Sequence, residues 1–102
     1  MTEAEFNERA DAALARIENA VDRDADGAEC NRSGNVLEIE FDNGQKIIVN
    51  RHDINREIWV AARAGGFHFA WREGQWQSQR DDGELFSKLA ILFAEQNENI
   101  QF

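Results

Sequence analysis

The stretch from Val36 to Val49 limits the fold more than any other part of the chain. Leu37, Ile39 and Phe41 alternate with Glu38 and Glu40, the period of a strand with one buried and one wet face. Asp42-Asn43-Gly44 follows at once, and Asn-Gly accepts the positive φ angles of a tight hairpin turn, so Lys46 to Val49 is predicted to return antiparallel. An isolated hairpin is marginal in water. The Leu37/Ile39/Phe41 face therefore needs further strands beside it and an apolar layer over it.

A helix supplies that layer. Thr2-Glu3-Ala4-Glu5 has the form of a capping box, and Phe6, Ala10, Ala13, Leu14, Ile17 and Val21 recur at steps of three and four. That spacing predicts an amphipathic helix of about 20 residues starting near residue 3. Asp11, Glu18 and Asp22 fall on one line beside its apolar stripe, and Arg9, Arg16 and Arg23 line up on the far side, within reach of Glu5 and Glu8. Asp22 to Glu29 then ends the helix and opens a loop, with Gly27 the expected stop.

Downstream, Ile58 to Ala62 reads as a third strand, with Ile58 and Val60 on one side and Trp59 on the polar side. Phe67 to Trp71 and Trp76 to Ser78 read as two more, separated by turns at Ala64-Gly65-Gly66 and Arg72-Glu73-Gly74. His68 is expected to point outward, and neither it nor His52 has a second His nearby in sequence to suggest a ligand pair. Asp81-Asp82-Gly83-Glu84 offers an acidic cap to a second amphipathic helix carrying Leu85, Phe86, Leu89, Leu92 and Phe93 and ending near Gln96. Ile100 and Phe102 predict a tail that folds back onto the core. The sum is an α+β two-layer sandwich in one domain spanning residues 1–102. Two helices, one at each end of the chain, cover one face of a five-to-six-stranded antiparallel sheet.

Charge narrows the function. Residues 1 to 40 hold eleven acids and four bases, and nearly all of the net charge of −9 lies there. Such a field repels nucleic acid and anionic membrane and attracts cations or a basic protein surface. The chain has no apolar run near the roughly 20 residues that span a bilayer and no basic-then-hydrophobic leader, and one cysteine, Cys30, precludes an internal disulfide; a cytoplasmic protein is expected. The acids between Asp22 and Glu29 are either a solvated charge run or a cluster of hard oxygen ligands. They lack the spacing of a helix-loop-helix calcium site. As ligands they suit Fe²⁺, Mn²⁺, Mg²⁺ or Ca²⁺ at shallow, weak, water-rich sites. No nucleophile-base or phosphate-loop pattern is present. The open sheet face with Trp59, beside an edge strand carrying Glu38 and Glu40, reads as an interaction surface.

Asn50-Arg51 followed by Ile58-Trp59, then Gly65-Gly66 and Phe67-His68-Phe69, resembles the frataxin signature, and closely that of the family's bacterial CyaY branch. The resemblance extends to the acidic first helix and loop, Cys30, the Asn-Gly turn, Trp71 and Trp76 flanking a turn, and Asp82-Gly83 before the last helix. Ile54 and Glu57 stand where the family usually has Pro and Gln, and Ala70 where it usually has Asp. The resemblance implies a bacterial protein of iron-sulfur cluster assembly, not an enzyme, that binds Fe²⁺ or Fe³⁺ weakly and docks on the cysteine desulfurase and its scaffold. It implies an iron-binding ridge of Asp11, Glu18, Asp22, Asp24, Asp26 and Glu29, and a second contact at Trp59 with Asn50 and Arg51. A monomer is implied, with iron-induced oligomers left open. Two other readings stay in play: an acidic decoy that mimics nucleic acid, and an iron oxidase or iron store built on clustered carboxylates.

Overall fold

The computed structural model describes residues 1–80 and 83–102, so the expected cap residues Asp81 and Asp82 lie outside the described residues. Two helices and six strands follow in the order α1 (Glu3–Asp24), β1 (Ala28–Ser33), β2 (Val36–Phe41), β3 (Lys46–His52), β4 (Glu57–Ala62), β5 (Gly65–Arg72), β6 (Gln75–Ser78) and α2 (Leu85–Ala94). The strands form one antiparallel meander in sequence order. The α+β architecture is the one expected from the sequence.

α1 starts where its capping box places it. The Thr2 hydroxyl accepts from Glu5 N–H at 3.1 Å, and the Glu5 carboxylate accepts from Thr2 N–H at 2.9 Å, so two orphan amides are satisfied. Its apolar stripe is buried from Phe6 to Val21 and merges with Leu37, Ile39, Phe41, Ile47, Val49, Ile58, Val60 and Phe69 of the sheet in a single core. Leu85, Leu89, Leu92 and Phe93 of α2 close the same core. Glu84 caps α2 by accepting from Ser87 N–H at 3.3 Å.

Four local expectations change. The segment after Gly27, read as loop and turn, is the strand β1, paired residue for residue with β2 from Ala28↔Phe41 to Ser33↔Val36. Its inward positions are Ala28, Cys30 and Arg32, too small or too polar to display a strand period. With β1 outside it, β2 is an interior strand, so Glu38 and Glu40 do not stand on an edge. α1 ends at Ala25 rather than at Gly27, and the Gly27 amide instead donates to the Glu98 carboxylate at 3.0 Å. In the β2–β3 turn only Gly44 takes a positive φ, 86°, while Phe41 N–H donates to Gln45 C=O at 2.9 Å. That makes a turn longer than the two-residue hairpin.

The tail folds back as expected. Ile100 is buried, and Phe102 packs against Phe86 and Phe93 with ring centroids 5.4 and 6.2 Å apart. Polar straps reinforce it: Arg16 donates to Phe102 C=O at 2.7 Å, and Gln101 N–H donates to the Asp24 carboxylate at 3.0 Å.

Candidate functional site

The six ridge acids divide into two groups. Asp11 is held inside an ion-pair network, with Arg51 of β3 at 2.5 Å and Arg32 of β1 at 2.7 Å. Arg32 also reaches Glu18 at 3.8 Å, so one guanidinium fastens the new edge strand to α1. Partial burial works to raise the pKa of Asp11, but hydrogen bonds from Arg32 and Arg51 outweigh it and leave the carboxyl below its usual range. Asp24 is tied by both oxygens to Arg23, at 2.9 and 2.8 Å, and these bonds, with the Gln101 amide, lower its pKa as well. Asp22, Asp26 and Glu29 have no ion pair among the described residues. They are the part of the ridge whose charge is offered outward.

These acids do not converge on a point. Among the described residues no three His, Cys, Asp or Glu side chains come together closely enough to hold a metal ion. What the arrangement offers is a strip of separate carboxylates, each able to supply one or two hard oxygens to a cation that keeps its remaining water.

Cys30 reports the same field from within. Burial first, then Glu18 and Asp22, push its thiol up to about 11. The charged thiolate is thus disfavoured in the fold: this contributes stability below the thiol's ordinary pKa, lost as pH rises through about 11. At pH 8 Cys30 should react with iodoacetamide on the order of 100-fold more slowly than in the urea-unfolded chain, since only the thiolate attacks. Equal rates folded and unfolded would contradict this placement.

The second surface lies on the sheet face away from the helices. Trp59 stands opposite Asn50 of β3 and His68 of β5. His52 stacks on one face of its indole with ring centroids 3.8 Å apart and planes at 12°, and His68 on the other at 4.2 Å and 8°. The indole Nε1–H donates to the Glu57 carboxylate at 2.7 Å, and Gln79 donates to the other oxygen of Glu57. Trp59 is thereby clamped upright in a three-ring stack that sequence reasoning missed. Arg51, grouped with Trp59 on sequence, is on the other side of the sheet: its side chain is 9% exposed and engaged with Asp11, Asn7 and Asp53. Glu38 and Glu40 do lie on the Trp59 side, where Glu38 pairs with Lys46 at 2.8 Å. Two of the departures noted in the sequence, Glu57 and Ala70, face each other across β4 and β5. A carboxylate at 57 with none opposite leaves Glu57 to serve Trp59 without like-charge repulsion. Ile54, the third, is 91% exposed at the β3–β4 tip.

A family profile described as the frataxin-like domain matches residues 1–99. The chain belongs to the frataxin-like family. Relatives of the frataxin-like chain include proteins called "Iron-sulfur cluster assembly protein CyaY" from Dechloromonas aromatica and Janthinobacterium. The first is 54% identical over 94% of this chain and 92% of the relative, the second 50% identical over 94% and 90%. Frataxin from Psychromonas ingrahamii shares the structure with a TM-score of 0.90 at 26% identity, covering 99% of this chain and 97% of that one. Yeast frataxin, at 20% identity and a TM-score of 0.62 over 90% of this chain and 80% of its own, shares the fold.

Proposed function

We propose that this frataxin-like chain is an accessory and regulatory protein of iron-sulfur cluster assembly rather than an enzyme. It binds Fe²⁺ or Fe³⁺ weakly along its acidic ridge and docks on a cysteine desulfurase and its scaffold protein in the bacterial cytoplasm, acting as a monomer. Its relatives are called iron-sulfur cluster assembly proteins, which supports the pathway. The observation that carries the reading is the outward charge of Asp22, Asp26 and Glu29, free of ion pairs among the described residues at the most acidic end of a chain of net charge −9. Scattered carboxylates of this kind hold a hydrated cation loosely, and the same charges steer a basic protein patch toward the ridge. Other divalent cations would be accepted as well, because nothing in the strip selects ion size. Iron and partner then compete for the same oxygens, which couples docking to iron supply. No helix of the described residues is long and apolar enough to cross a membrane.

Trp59 serves as the second contact. It is a large aromatic held rigid, so docking costs it little rotamer freedom, which favours a hot-spot role. Trp59→Ala should leave the fold intact and weaken binding to the desulfurase-scaffold complex about tenfold or more. The deciding experiment pairs an amide-detected ferrous titration with an immobilised-protein binding assay against that complex. The expected result is movement of signals in residues 18–29 and retention of the desulfurase. Unmoved signals together with no retention would end this reading. The nucleic-acid decoy reading predicts instead a salt-sensitive complex with a nucleic-acid enzyme, and the oxidase reading predicts catalytic oxygen consumption.

A further inference from the structure

The proposed function leaves the arginine line of α1 unused. Arg9 and Arg16, seven residues and two turns apart, project on the side of the helix away from Asp11 and Glu18. There they line a cleft of about 420 Å³ between α1, the β5–β6 turn and the start of α2. That volume lies within the roughly 300–1,000 Å³ of small-molecule sites. Each guanidinium carbon lies over an aromatic ring, Arg9 at 5.0 Å from the Trp71 centroid and Arg16 at 4.1 Å from that of Phe86. Each ring holds its guanidinium beside the cleft by a cation–π contact, which uses none of the N–H donors and leaves them to meet an anion. Ala12, exposed, and Ala13, largely buried, form an apolar part of the wall.

Among the described residues, competition for these donors is slight. Arg9 meets Glu5 at 3.6 Å in an exposed i,i+4 pair, which is weak. Arg16 gives one bond to Phe102 C=O, at 2.7 Å. Glu84 also lines the cleft, but one of its oxygens is committed to capping α2. In a chain of net charge −9, two arginines beside aromatic walls make a local inversion of sign that favours an organic anion.

We propose that this cleft binds a small aromatic anion, a flat ring carrying a carboxylate or a phosphate. The ring lies along Trp71 and the alanine wall, and the anionic group meets the edges of Arg9 and Arg16. The test titrates the isotope-labelled full chain with naphthoate, naphthyl phosphate and the neutral naphthylmethanol, reading the Trp71 indole N–H and the Arg9 and Arg16 Nε–H signals. At least one anion should give saturable shifts at these groups, with the alcohol at least tenfold weaker, and the better anion identifies the headgroup. Arg9→Gln, at an exposed position, should weaken that anion about tenfold by removing a charge-assisted hydrogen bond. Arg16→Gln should do the same while also loosening Phe102. Three results would overturn the proposal: no saturable shift up to millimolar ligand, equal binding of the alcohol, or unchanged anion affinity in Arg9→Gln.

Discussion

Arg51→Ala is expected to lower the free energy of unfolding by about 3 kcal/mol, more than any surface substitution. Its guanidinium lies beneath α1 with only 9% of the side chain exposed, donating to Asp11 and Asn7 at 2.5 Å each and meeting Asp53 at 3.3 Å. It also sits 5.5 Å over the ring of the buried Phe6. Removing it opens a void against Phe6 and strips Asn7 and Asp11 of a donor. Two features keep the loss at the low end of the 3–5 kcal/mol typical of a broken buried pair. Asp11 is 49% exposed and keeps Arg32, and the Arg51 Nε is buried without a hydrogen-bond partner among the described residues, a cost the wild type already carries. In a domain of about 100 residues such a loss corresponds to a fall of about 12 °C or more in Tm. Arg51→Met, which retains volume but not charge, should lose less, because the packing against Phe6 survives. A loss below about 1 kcal/mol for Arg51→Ala in equilibrium denaturation would mean that water already screens the network. The prediction bears on function too: a binding defect in an Arg51 variant reports instability of the platform, since the side chain does not reach the face that carries Trp59.

Arg51 also shows where sequence reasoning stops. The alternation of Ile47 and Val49, extended by one step, places Arg51 inward, so the signal was present in the chain itself. Its acidic partner was not, because Asp11 lies 40 residues away and the two meet only once α1 has docked. The same holds for β1: Ala28, Cys30 and Arg32 have no strong apolar period, and that strand is defined by pairing with β2 and by the Arg32 bridges to Asp11 and Glu18. By contrast α1, the β2–β3 hairpin and α2 were legible because each displays its own period, 3.6 or 2, with caps or turn residues at the ends. The ring stack on the outer face falls between these cases. His52, Trp59 and His68 could each be placed outward from alternation, but their stacking depends on the register Asn50↔Trp59↔His68, which the length of the β3–β4 turn decides.

Neutralising Asp22, Asp26 and Glu29 together, as Asp22→Asn, Asp26→Asn and Glu29→Gln, is expected to abolish the ferrous response of residues 18–29 and to weaken desulfurase binding about tenfold or more at low salt. Each lost charge removes about 0.2–1 kcal/mol of exposed attraction, and three acting on one basic patch add toward 1.4 kcal/mol, a factor of ten. The dependence of affinity on salt should flatten in parallel, because the removed part is the screened part. Stability should hold or rise slightly, since these carboxylates have no ion pair among the described residues and Asp22 opposes the negative end of the α1 dipole. Cys30 supplies an internal check: with Asp22 neutral, one cause of its raised pKa is gone and its alkylation should quicken. The contrasting pair, Asp11→Asn with Asp24→Asn, removes two charges that are already spent on Arg51, Arg32 and Arg23. It should cost stability and loosen the tail at Gln101 while leaving most of the iron response and docking in place. If the two sets of variants lost binding equally, the division of the ridge into structural and outward-facing acids would be wrong. If the outward-facing set alone lost the iron response yet kept full desulfurase affinity, iron and partner would occupy different surfaces, and competition between them could not be how docking follows iron supply.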